Sequence, residues 1–277
     1  MYELEKRKGK NSMRRKLGIN IDCIADEDPV NTLIKAKELG FNAFFTPLYS
    51  LEKTIEIKKK ADELEMDFEF IHAPFEKVND MWKTEDGECL PYDNYITSVD
   101  VASKAGVKAI IVHVSSGWTC PEICDKGLER FDKVVRYAKE KGVIIAIENL
   151  RKVGNFAYMM DRYENCDNVK FCYDLGHEHC YTATVDLMDI CGKKAICTHV
   201  HDNRGRDKND WYANYDEHKL PFDGSIDYQH VVNKLDEYEY TGSIMLEVFS
   251  VIYPEMSADE FMKTAFERAV KIERLSK

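Results

Sequence analysis

Short apolar runs and longer amphipathic stretches take turns along this chain from Lys16 to Arg274. The runs read as strands: Lys16–Asp22, Phe41–Thr46, Asp67–His72, Val107–His113, Val143–Glu148, Val169–Asp174, Ala195–His201 and Ser243–Glu247. Most are nearly continuous in apolar residues, as parallel strands covered on both faces should be. Between them, Leu33, Ile34, Ala36 and Leu39 recur at helical spacing after Pro29, with Gly40 as the stop. Ser50 caps a Lys/Glu-rich helix whose expected buried stripe is Ile55, Ile57 and Ala61. Further helices are expected over 93–105, from Pro121 to Gly142 through Leu128, Phe131, Val134, Val135 and Ala138, over 228–238, and over 258–274.

Strands alternating with helices make a parallel sheet, and eight such units close into a (β/α)8 barrel. An open doubly wound sheet would want a Gly-rich turn after the first strand, and Asp22-Cys-Ile-Ala is not one. One barrel over residues 16–277 accounts for the chain. The charged segment 1–15, which lacks the apolar stretch of a signal peptide, is expected to be a disordered extension.

The chemistry lies where the runs end. They close on Asp22, His72, His113, Glu148, Asp174, His199 and Glu247, and the loops just beyond add His177, Asp216 and His218. In a barrel all of these ends share one face, the face that carries active sites. Glutamate is depleted in strands, so Glu148 and Glu247 behind apolar runs call for a reason. Imidazole with carboxylate is a donor mix for zinc, manganese, iron or cobalt. Asp174 taken alone would serve as a turn cap. His179, His201 and His230 are left to supporting or surface positions.

A net charge of -11 argues against nucleic acid or anionic lipid as a partner, and no stretch is long enough to span a membrane. Nine cysteines without regular spacing, some inside apolar runs, suit a reduced cytoplasmic protein. On the long top-face loops, Trp82 and Trp211 are candidates to wall a pocket, and Arg204 or Arg206 to reach a distal hydroxyl or phosphate. No Gly-rich phosphate cradle follows the seventh or eighth strand, which points to an unphosphorylated substrate.

Taken as an ordered set, Glu148-Asn149, Asp174-Leu-Gly-His177, His199-Val-His-Asp202, Asp216-Glu-His218 and Glu247 resemble the xylose isomerase-like barrel superfamily. That group holds sugar isomerases and epimerases, inosose dehydratase-type enzymes and endonuclease IV. The resemblance implies that Glu148, Asp174, His199 and Glu247 hold one divalent metal (manganese, zinc, cobalt or magnesium). In the isomerase and epimerase branch it further implies a Glu148/Glu247 acid–base pair acting on a small sugar or polyol-ketone, and a homo-oligomer. His177 would bond a substrate oxygen or orient Asp174, and His72 and His113 would touch substrate. A dehydratase on a cyclic polyol-ketone would use the same proton abstraction. His72, His113, His177, Asp216 and His218, added to the four, also resemble the three-zinc ligand set of endonuclease IV, an enzyme cleaving at abasic sites. One departure stands out: many relatives carry Pro-Gly-x-Gly after the Asp-x-His motif, and this chain has Pro221-Phe-Asp-Gly224.

Overall fold

The strands do form, and all eight lie parallel in one sheet, in the computed structural model, which describes residues 14–85 and 87–276. They are β1 (Leu17–Asn20), β2 (Ala43–Pro47), β3 (Asp67–His72), β4 (Ala109–Val112), β5 (Ile144–Glu148), β6 (Val169–Asp174), β7 (Ala195–His199) and β8 (Ile244–Leu246). Hydrogen-bonded neighbours run β7-β6-β5-β4-β3-β2-β1-β8. A parallel bridge between Val200 and Leu246 brings the two ends together. There the Val200 N–H donates to the Met245 carbonyl at 2.8 Å and the Glu247 N–H to the Val200 carbonyl at 3.0 Å. The result is the expected (β/α)8 barrel.

Around it stand α1 (Pro29–Leu39), α2 (Leu51–Glu63), α3 (Leu90–Ala105), α4 (Asp125–Glu140), α5 (Val153–Arg162), α6 (Leu175–Tyr181), α7 (Leu187–Cys191), α8 (Tyr228–Glu237) and α9 (Ala258–Glu273). The caps are the local reason for several boundaries. Asp28 accepts from the Val30 N–H ahead of α1, Ser50 from Lys53 ahead of α2, and Ser257 with Glu260 forms a capping box on α9. The stripe expected on α2 needs one correction. Thr54, Ile57 and Ala61 are buried, whereas Ile55 is exposed. Two residues' separation from Ile57 turns Ile55 about 200° around the helix, onto the water side. Among the described residues, no helix is long and apolar enough to cross a membrane. All nine cysteines are free thiols.

The inner faces of the strands decide where the chemistry can sit. Phe45, Phe70, Ile111, Ala146, Cys172, Cys197 and Met245 form an apolar cluster of their own, separate from the larger core between strands and helices. Gly18 gives Met245 its place there, because a Cβ at that position would stand 2.4 Å from the Met245 sulfur. Side chains repeat along a strand with a period of two. The next inward positions are therefore His72, His113, Glu148, Asp174, His199 and Glu247, each two residues beyond a plug residue. The barrel's own pleat thus lifts all six onto an apolar floor. At the opposite end, Glu69 is held by the Ser243 hydroxyl.

Residues 1–13 of the expected extension lie outside the described residues. Arg14 and Arg15, which follow, are tied down: both backbone N–H groups donate to Glu273 Oε1, at 2.7 and 2.9 Å. The buried Arg15 guanidinium meets Asp236 and Glu273.

Candidate metal and active site

Glu148, at the end of β5, is the hub of the cluster. Its Oε2 lies 3.2 Å from His72 Nε2, 3.1 Å from His113 Nε2 and 3.5 Å from His199 Nδ1. Its Oε1 lies 3.1 Å from His177 Nδ1. Glu247 approaches the same His199 Nδ1 at 3.3 Å from the far side, beyond β8. Asp174 is fully buried and caps α6 by accepting from the His177 N–H at 2.6 Å. Its other oxygen, Oδ2, lies 3.8 Å from His199 Nδ1. The cap and the strand-end carboxylate are thus one residue doing both jobs. Asn149 fixes it from the neighbouring strand end, its side chain donating to the Asp174 carbonyl at 2.7 Å and accepting from the Asp174 N–H at 2.8 Å.

A second group adjoins the first. His177 Nε2 lies 3.1 Å from Asp216 Oδ2, and His218 Nε2 lies 3.3 Å from Asp216 Oδ1. His201, left to a supporting or surface place on sequence, is fully buried in this group. Its Nε2 lies 3.2 Å from Asp174 Oδ1, and its ring stacks on His218 at 4.0 Å. The signal for it was the pleat again: His201 lies two residues beyond His199. Asp22, by contrast, does not join. It is exposed and accepts a hydrogen bond from the Tyr49 hydroxyl.

Several residues expected to touch substrate lie elsewhere. Trp82 is buried against Phe131 and donates its indole N–H to the Val114 carbonyl at 2.8 Å, because a short 3-10 turn carries it under α4 rather than over the barrel mouth. Arg204 pairs with Glu217 at 2.7 Å and points into solvent. Trp211 is half exposed and covers Arg206, which is sandwiched against Trp118 on its other side. His72 and His113 do line the cavity of about 110 Å³ over the cluster, together with Phe75, Ser116, Arg151 and both glutamates. Phe75, Ser116 and Arg151 carried no motif. Phe75 lies flat against His113, ring centroids 4.6 Å apart. A larger hollow of about 500 Å³, by Met160, Ile190 and Lys193 among the outer helices, holds none of these imidazoles.

Glu148, Asp174, Asp216 and Glu247 bring four carboxylates into one buried space, and uncompensated charge of that density is untenable. Burial opposes ionisation of Glu148, yet His113 and His199 hold its carboxyl well below the usual carboxylate range. Burial likewise opposes charge on His199, but Glu247 and Glu148 lift its imidazole to about 10. Asp216 and Glu247 lift His218 to about 9 against the same penalty. His177 is raised well above its ordinary value by Asp174 and Asp216, again against burial. Only His113 goes the other way among these four imidazoles, with burial dominant. Where imidazoles and carboxylates face one another in this way, a divalent cation can take the place of the imidazole protons, since ligating imidazoles must be neutral.

The donors fit such an ion. Neither ring nitrogen of His199 has a hydrogen-bond partner, although both are buried, and His201 Nδ1 and Asp216 Oδ1 are orphaned in the same way. Buried polar atoms are rarely left like this without an unseen partner. Ligand atoms within 4.8 Å of one another occur in the sets His72/His199/Glu247, Glu148/Asp174/His177, His72/His113/Glu148 and His177/His201/Asp216/His218. Glu148, Asp174, His199 and Glu247 would hold one ion, with the His177–His218 group as a further candidate.

Comparisons with known proteins agree with this architecture. An uncharacterised protein of Sinorhizobium fredii is 27% identical over 191 residues, 64% of this chain and 58% of that protein. An inosose isomerase of Bacillus licheniformis is 28% identical over 142 residues, spanning 49% of this chain and 50% of that one. Both alignments thus span less than two thirds of the relatives' own length. The D-psicose 3-epimerase of Clostridium cellulolyticum H10 superposes with a TM-score of 0.70 over 95% of this chain and 100% of that chain, at 18% identity, a likeness of fold. The family model described as xylose isomerase-like TIM barrel matches residues 33–267, and with the strand-end cluster in place the chain belongs to that family.

Proposed function

We propose that this protein is a divalent-metal-dependent isomerase or epimerase of a small ketose or polyol-ketone. One observation carries the reading: Glu148, ending β5, and Glu247, just beyond β8, converge on the His199 ring, whose nitrogens make no hydrogen bond, and line the same small cavity. A bound divalent metal would supply Lewis-acid stabilisation of the negative charge that proton removal leaves on the substrate. One glutamate takes the proton from the carbon next to the carbonyl, and the other returns a proton to the neighbouring carbon or to the opposite face. His72 and His113 hold the Glu148 carboxylate in place by their Nε2 atoms. His177 is engaged at both ring nitrogens, on the Asn149 carbonyl and on Asp216, which suits a positioning role. The named activities of the inosose isomerase and the psicose epimerase belong to the same reaction class.

The test is exchange of the α-proton with deuterated water over a panel of ketoses and inososes. Exchange should occur with at least one, and Glu148→Gln and Glu247→Gln should each abolish it while the fold survives. A variant keeping more than a few per cent of the rate removes that glutamate from acid–base chemistry. Loss of a β-hydroxyl after exchange would redirect the reading to a dehydratase. A second reading rests on the His177/His201/Asp216/His218 group, which offers a multi-metal site for a phosphodiesterase of the endonuclease IV kind. Cleavage of a duplex containing an abasic site, without ketose exchange, would replace the first reading by the second.

A further inference from the structure

We propose that the substrate carries an oxyanion, a phosphate or a carboxylate, at the end remote from the proton-transfer carbons, and that Arg151 binds it. The inference rests on the ketose reading for what occupies the rest of the cavity. Arg151 stands three residues beyond Glu148 and lines the cavity with it; among the described residues no other lysine or arginine does. Its guanidinium lies over the face of Tyr181, 4.0 Å from the ring centroid. Tyr181 in turn stacks on His177 at 5.3 Å and 27°. The planar fork is therefore held by its face, which leaves its N–H edges to donate.

The surrounding charges make this arginine unlike its neighbours. Arg204 and Lys219 both pair with Glu217, at 2.7 and 3.0 Å, and Lys152 pairs with Glu122 at 2.6 Å. Arg206 is stacked between two tryptophans. Among the described residues, no carboxylate pairs with Arg151, in a chain whose net charge is -11. A guanidinium left free beside a cavity is matched by a planar or tetrahedral oxyanion, to which it donates two parallel bonds. Two further features point the same way. Ser116 shares the cavity, and its backbone is clamped by Asn79, which accepts from the Ser116 N–H and donates to its carbonyl, each at 2.9 Å. The backbone that brings Ser116 to the cavity wall is thus fixed. Helix α5 begins two residues after Arg151 and has no side-chain cap, so its N-terminal partial positive charge lies close to Arg151 along the chain. The rest of the wall bears Glu148, Asp216 and Glu247 among the imidazoles, so among the described residues Arg151 offers the one guanidinium an anionic group meets there. This differs from the expectation of an unphosphorylated substrate, which considered only the loops after β7 and β8; the candidate anion site follows β5.

The experiment is isothermal calorimetry on metal-loaded protein with ribitol, ribitol 5-phosphate and ribonate, polyols that lack a carbonyl and do not turn over. Wild type should bind at least one anion tenfold or more tightly than ribitol, and the stronger of the two names the anion. Arg151→Met, which keeps the apolar stem on Tyr181, should bring that ratio within threefold, and Arg151→Lys should fall between. Equal binding of all three by wild type, or an advantage retained in Arg151→Met, overturns the inference. Proton exchange with D-ribulose and D-ribulose 5-phosphate separates it from the function on which it rests. Exchange of the neutral ketose with no Arg151-dependent preference leaves the isomerase and discards the anion site. No exchange with an intact Arg151-dependent preference does the reverse.

Discussion

Gly176 lies so close beneath His201 that a Cβ there would stand 2.1 Å from Cε1 of the imidazole and 2.5 Å from each ring nitrogen. The glycine of Asp174-Leu-Gly-His177 is needed for space, since α6 continues through it with ordinary helical geometry. Pushing His201 aside would disturb Asp174, 3.2 Å from its Nε2, and the stacked His218. Gly176→Ala should therefore lose at least tenfold in metal affinity, by titration followed with mass spectrometry, and about 1–3 kcal/mol of stability from overpacking. Full affinity in that variant would mean that the His201 ring has no part in shaping the site.

Arg15 should be worth more than its place near the chain's start suggests. Its guanidinium is buried between Asp236 and Glu273, and it donates from Nε to the Tyr240 carbonyl at 3.0 Å. Removing Arg15 takes the guanidinium from buried Glu273, while Asp236 keeps Arg14 and Ser276, so the cost should lie toward the low end of the roughly 3–5 kcal/mol for a broken buried pair. Arg15→Met should lower the urea midpoint accordingly, with the m-value unchanged. A loss under about 1 kcal/mol, the scale of a surface pair, would show that this contact is not formed in solution.

Glu69 gives the fold a pH dependence at the end of the barrel away from the site. Burial pushes its carboxyl up from the ordinary 4.5, only partly offset by the Ser243 hydroxyl and Lys16. The folded state then binds this proton more tightly than the unfolded chain. Its contribution is fully present below the ordinary value and is lost as pH rises through the raised one. The stability of Glu69→Gln relative to wild type should accordingly increase with pH between about 4 and 7, by thermal unfolding. A difference that stays flat across that range would place the Glu69 titration at its ordinary value.

Much of this is legible in the sequence, for a physical reason. Parallel strands buried on both faces are continuous apolar runs, so their ends are conspicuous, and barrel closure then puts Glu148, Asp174, His199 and Glu247 on one rim. The pleat adds His201, which a run-end search passes over because it sits one step past the strand. α6 and α7 were not legible: at seven and five residues they are too short to show a period. Trp82 lies against Phe131 and Trp211 over Arg206, away from the cavity, because loop length says nothing of which way a loop folds. The Pro221–Gly224 departure resolves in the backbone. Phe222 adopts φ 74° where many relatives carry glycine, and it packs on Tyr228, 4.7 Å between ring centroids. Gly224 remains glycine because a Cβ would stand 2.2 Å from Asp202 Oδ1, the oxygen that accepts from the Asn203 N–H.

Metal count should follow from which imidazoles are already satisfied. His72 is engaged on the Ala73 carbonyl and Glu148, His177 on the Asn149 carbonyl and Asp216, and His218 by Nδ1 on the Glu247 carbonyl. His199 alone among the candidate ligands has both nitrogens buried without a hydrogen bond. Its solvation was given up on folding, and the contacts of Nδ1 with Glu247 and Glu148 replace it only in part, which a bound cation would complete. The tightest ion should therefore sit at Glu148, Asp174, His199 and Glu247. Protein purified without chelator should carry about one divalent metal per chain by mass spectrometry. His199→Ala should abolish that uptake, whereas His218→Ala should retain it. Two or three ions per chain, with His218→Ala losing one and His199→Ala not losing all, would favour the phosphodiesterase reading and make abasic DNA the first substrate to try. No uptake by wild type at any divalent ion tested would remove the metal from the site altogether.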